Sequence, residues 1–171
     1  MEYFLMCQDG RVGDAIRLVG LGKALGVDGF GQGLAELGEE PVQVYLEEGR
    51  RNDYVDFVAR PFPLVSDQLK QLLALYEPAA FFKPVVLADK QRMYQAVYWL
   101  AAPAAVACLA PAGVFTQTSK ESVLDGSKIG DRNFFRLAGS GEHLLVVNLH
   151  VAESIYRRDF FGICLKRLEV C

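Results

Sequence analysis

The run Ile16-Arg17-Leu18-Val19-Gly20-Leu21-Gly22-Lys23-Ala24-Leu25-Gly26 imitates a strand entering the glycine turn that receives a dinucleotide pyrophosphate. Glu47, at the end of a later predicted strand, stands where an acid would hold a ribose. The spacing departs from that chemistry. The third small residue is due at Leu25, Gly26 comes one position late, and the rest of the chain does not alternate strand with helix. A glycine-rich loop accounts for the same residues. The two histidines, His143 and His150, fall seven apart, and no Cys or carboxylate joins them at a metal-ligand spacing. Cys164 with His150 would make a nucleophile and a base, but a Cys between Ile163 and Leu165 reads as a small core residue. The chain contains no G-x-S-x-G, phosphate loop or H-E-x-x-H. No catalytic, cofactor-binding or metal-binding residue is therefore assigned, and a protein that is not an enzyme is expected.

Charge offers a different kind of site. Glu36, Glu39, Glu40, Glu47 and Glu48, followed by Asp53 and Asp56, crowd around the second long strand. Such a run is ordinarily a solvated rim. Its functional reading is an acidic patch that steers a basic protein partner, although Arg50 and Arg51 dilute it.

These residues need a scaffold, and the composition provides for one. A chain of 171 residues fits a single domain, 1–171, that buries about 70% of the surface its unfolded form exposes. Hydrophobic residues make up 51% and charged ones 23%, a globular balance that excludes long disordered tails. The net charge of −3 gives no general attraction to phosphate backbones, so nucleic acid is not expected as a partner. Cys7, Cys108, Cys164 and Cys171 are scattered, with no C-x-x-C, and are read as reduced. Met1 to Met6 lacks a basic start and a long apolar core, which argues against a secretory leader and for the cytoplasm. Ala96 to Phe115 runs twenty residues without a charge, the length of a membrane span. Eight of those are alanine, and Pro103, Pro111 and Gly113 interrupt any helix. Two buried strands, Tyr94 to Leu100 and Ala105 to Ala110, are expected there instead of a membrane segment.

The remaining elements follow from periodicity. Glu2 to Gln8 reads as a first strand. Nine of the sixteen glycines fall between Gly10 and Gly38, so 10–38 reads as loop-rich with one short element near Ala15 to Leu25. Pro41 to Leu46 alternates as a half-buried strand, and Tyr54 to Ala59 is another. Ser66 caps a helix in which Leu69, Leu72, Leu73 and Tyr76 share a face. Phe81 to Leu87 and Met93 to Leu100 form a hairpin turning around Ala88 to Gln91, and 111–132 reads as a long loop. Phe134 to Ala138 and His143 to Val147 form a second hairpin, the latter strand apolar on both faces and so internal to a sheet. Asn148 caps a helix through Tyr156, and Gly162 leads into a last strand from Ile163. The pattern predicts an α+β fold, a largely antiparallel or mixed sheet with two or three short helices packed on it.

In order along the chain, Met1-Glu2-Tyr3-Phe4-Leu5, Asp56-Phe57, Leu64-Val65-Ser66-Asp67-Gln68-Leu69, Phe82-Lys83-Pro84-Val85 and Tyr98-Trp99 are followed by Val106-Ala107-Cys108-Leu109 and Phe135-Arg136-Leu137. Val151-Ala152-Glu153-Ser154-Ile155 and Gly162-Ile163 close the series. This order resembles the immunity proteins of bacterial polymorphic toxin systems, specifically the eleventh such immunity family, formerly a domain of unknown function. The resemblance extends over about residues 54–171. It implies a small cytoplasmic protein that binds and neutralises a cognate toxin protein, with no cofactor and no catalytic residue. At the matched positions Ser66 and Gly162 have structural explanations, and Arg136 either anchors its hairpin or contacts the partner. Two other roles stay open: a small-ligand or nucleotide-binding enzyme using the Gly20 to Gly26 turn, and a non-catalytic subunit or assembly protein.

Overall fold

A computed structural model describes residues 1–26, 37–111 and 123–171. The elements in chain order begin with β1 (Tyr3–Gln8), β2 (Leu18–Val19), α1 (Leu21–Leu25), β3 (Val42–Leu46), β4 (Phe57–Val58), β5 (Leu64–Ser66) and α2 (Asp67–Tyr76). They continue with β6 (Phe81–Asp89), β7 (Tyr94–Ala102), β8 (Ala105–Val106), β9 (Val123–Leu124), β10 (Phe134–Leu137), β11 (Leu145–Asn148), α3 (Leu149–Tyr156) and β12 (Ile163–Val170). The fold is α+β, as the residue pattern predicts, with the strands shared between two mixed six-stranded sheets. The first sheet has the order β8-β10-β11-β1-β12-β9 and the second β2-β3-β6-β7-β5-β4.

Alternation along each strand sends side chains to two different cores. From β1, Tyr3 and Leu5 join Phe135, Leu137, Val146 and Leu168 in an outer cluster, while Met6 points the other way. Met6 meets Leu145, Val147, Phe57, Val65 and Ala101 in a central cluster that contains residues of both sheets. Helices α2 and α3 fill that layer with Leu69, Leu72 and Leu73 and with Val151, Ala152 and Ile155. A third cluster on the far side of the second sheet gathers Val44, Leu46, Val85, Leu87 and Leu100 with Ile16, Leu21 and Leu25.

Local chemistry places the helices. Ser66 accepts the Leu69 N–H at 3.3 Å and Asn148 accepts the Val151 N–H at 3.1 Å, the caps that the sequence predicts. The Ser66 hydroxyl in turn donates to Asp56 Oδ1 at 2.5 Å, and Asp56 Oδ2 accepts the Phe161 N–H at 2.6 Å. One carboxylate thus ties the start of α2 to the segment that leads into β12. Gly162 has φ +78°, and a Cβ there would lie 2.3 Å from Val55 Cγ1, so the position excludes every side chain on two grounds.

Several expected boundaries move. The β6–β7 turn comes two residues late because Asp89 Oδ1 accepts the N–H groups of Gln91 and Arg92, holding Asp89 at the strand end. Only Phe57–Val58 of the Tyr54 to Ala59 stretch pairs as strand, and only Ala105–Val106 of Ala105 to Ala110. Among the described residues no helix is long and apolar enough to cross a membrane. The uncharged run from Ala96 enters β7 and β8 as expected, and its last residues, from Ala112, lie outside the described residues.

Candidate functional site

The second sheet keeps one face partly uncovered. Helix α2 lies along β7 near Trp99, where the indole Nε1 donates to Asp67 Oδ1 at 3.0 Å. Beyond the helix, registers pair Pro84 with Trp99 and Val86 with Val97, and Gln43 of β3 stands beside Val86. These side chains alternate with the buried residues Val85, Leu87, Tyr98 and Leu100 and so lie on the opposite face from the third cluster, with Trp99 half-buried against the central cluster and the surface opening beyond it. Val97 is 49% exposed and Tyr45, on the same side of β3, is 44% exposed. A lysine lies over an aromatic ring at each end of the strip. Lys70 Nζ is 4.4 Å from the Trp99 ring centroid and Lys90 Nζ is 4.0 Å from that of Tyr45. The result is a strip of aromatic and aliphatic groups with two positive ends.

A second constellation forms where the two sheets meet. Arg136 of β10 pairs with Leu145 of β11, so it shares a face with His143 two residues earlier. The ring of His143 is buried and stacks on Phe62 with centroids 5.1 Å apart. Burial, with the neighbouring Arg136 charge adding to it, pushes His143 down to about 4. Arg136 Nε is buried with no hydrogen-bond partner among the described residues, and burial lowers the pKa of its guanidinium. Next to His143, Glu142 Oε1 accepts from Arg60 at 2.8 Å. This pair neutralises itself. With no ion pair to Arg136 among the described residues, that half-buried cation suits a carboxylate or another anion.

The acidic residues do not gather into one patch. Glu39 and Glu40 precede β3, Glu47 and Glu48 follow it, and all are exposed. Seven residue steps of extended chain hold Glu40 and Glu47 roughly 23 Å apart. Glu36 lies outside the described residues. Asp53 pairs with Arg51 at 2.9 Å, and Asp56 is the tie already described. Arg50 donates to the carbonyl of Gly13 at 3.2 Å.

The glycine run takes a form of its own. Leu18–Val19 is an antiparallel edge strand on β3, and Gly20 and Gly26, both left-handed, bracket a five-residue helix whose Leu21 and Leu25 enter the core. A dinucleotide turn follows a central parallel strand instead. His143 is buried on the first sheet and His150 is exposed in the first turn of α3. Cys164 faces Cys7 across the β1–β12 pair. Among the described residues no group of three or more His, Cys, Asp or Glu could hold a metal.

Sequence reasoning singled out Arg136 but not Trp99, Val97, Tyr45 or Lys70. Their alternation in β3 and β7 was legible. Which face would stay open depends on where α2 comes to rest, and no local pattern encodes that. No protein-family model matches the chain, and no curated protein matches it.

Proposed function

We propose that this protein is a cytoplasmic binding protein of the immunity type, which neutralises a cognate toxin domain by covering part of its surface. The observation that carries the proposal is the partly uncovered strip of the second sheet, with exposed Tyr45 and Val97 and half-buried Trp99 between Lys70 and Lys90. Protein interfaces concentrate aromatic groups and draw most of their energy from a few anchors that lose water on contact. The strip offers those anchors on a rigid sheet, and the lysines favour a partner with acidic groups around an apolar centre. The resemblance of the motif order to the immunity family is consistent with the same role.

The test is co-purification with the products of the neighbouring genes. A toxin product should form a stable complex, and Val97→Arg should weaken it at least tenfold, about 1.4 kcal/mol. As an exposed substitution it should leave folding stability within about 0.5 kcal/mol. Failure of every neighbouring product to bind would sink the proposal. Light scattering separates the assembly role, because a homodimer that Val97→Arg dissociates would assign the strip to self-association.

A further inference from the structure

We propose that Cys7 and Cys164 form a redox-active thiol pair, which a low-molecular-weight disulfide converts into an intramolecular disulfide joining β1 to β12. The two residues are 157 positions apart in sequence, yet the strand register sets them directly opposite one another. Asp9 N donates to Gly162 O at 2.8 Å, and this pair continues the same register two residues further on. Hydrogen-bonded pairs recur at every second position of an antiparallel ladder, which makes Cys7 and Cys164 such a pair with Cα atoms roughly 5.5 Å apart. A disulfide spans roughly 4.4–6.8 Å between Cα atoms, so the backbone need not move far.

Directly opposed residues of an antiparallel pair turn their side chains to the same face of the sheet. The Cys7 S–H donates to the Leu5 carbonyl at 3.8 Å and burial pushes that thiol up to about 11, which leaves Cys164 as the attacking group. Both residues are half-buried, within reach of a small reagent, whereas Cys108 is buried. In the exchange, the Cys164 thiolate attacks one sulfur of the oxidant and expels a thiolate, leaving a mixed disulfide. Cys7 then loses its proton to solvent, attacks the Cys164 sulfur and expels the second thiolate. Two protein thiols are oxidised and one small disulfide is reduced to two thiols. Burial pushes both protein thiols up, Cys7 to about 11, so the exchange runs slowly at neutral pH. The bond closes a loop containing most of the chain, and that constrains the unfolded state strongly.

Glutathione disulfide is the probe, applied to the Cys171→Ser protein so that the exposed terminal thiol does not cross-link chains. The treated protein is unfolded, alkylated and digested with trypsin. The expected product is peptide 1–11 joined to peptide 159–166, with free thiols falling from three to one, Cys108. The oxidised protein should melt several degrees higher, and dithiothreitol should reverse the shift. In Cys7→Ser, Cys164 should carry a glutathione adduct in place of the cross-link. Cys7 and Cys164 both recovered as alkylated thiols, or as two separate adducts, would overturn the proposal, as would an unmodified Cys164 in Cys7→Ser.

Discussion

His143 shows how one residue sets a pH dependence. The unfolded chain protonates it near 6.5, whereas the folded chain, with the imidazole buried beside the Arg136 charge, protonates it only at about 4. Between those values the unfolded state binds more protons. Stability therefore falls as pH drops from 6.5 towards 4 and levels off below, a loss of up to about 3 kcal/mol. His143→Phe, which keeps the stack on Phe62, should flatten that part of the stability curve in urea titrations at pH 7, 5.5 and 4. Gly162 makes a prediction of another kind. Alanine there would take a left-handed φ of +78° and press its Cβ against the stiff, branched side chain of Val55. Gly162→Ala should cost roughly 2–4 kcal/mol, read as a lower urea midpoint. The turn role of Gly162 was legible in the sequence because it depends on adjacent residues. The contact with Val55 was not, because that neighbour lies more than a hundred positions away.

Among elements, α2 and α3 were legible almost to the residue, since each carries its own cap and its own apolar stripe. The hairpin β6–β7 was equally local. Division into two sheets was not legible, because β4, β8 and β9 are two residues long and too short for alternation to mark them. The carboxylates of the second long strand looked like one cluster for a related reason: adjacency in sequence is no adjacency in space once a strand runs between two groups. Asp56, counted with that cluster, instead holds elements together through Ser66 and Phe161. Asp56→Ala should leave the Phe161 N–H and the Ser66 hydroxyl without their acceptor and cost about 2–3 kcal/mol. A urea titration should show a shifted midpoint with an unchanged slope. A loss below about 0.5 kcal/mol would mean that water replaces the carboxylate without penalty.

For the molecule as a whole, the central cluster is decisive, because Met6, Leu145 and Val147 of one sheet share it with Phe57, Val65 and Ala101 of the other. Neither sheet keeps that layer dry alone. Fluorescence of Trp99, the single tryptophan, reports the second sheet, while far-ultraviolet circular dichroism reports both. The two thermal transitions should coincide, and separate midpoints would show that the sheets unfold independently. The place of β1 also bears on how the molecule is made. Its neighbours are β11 and β12, so β1 is made well before either strand it pairs with. At about 5–20 residues per second, translation from Gln8 to Ile163 takes roughly 8–30 seconds, during which Tyr3 to Gln8 presents two unpaired edges. Through that interval both edges of β1 are open to pairing with another chain.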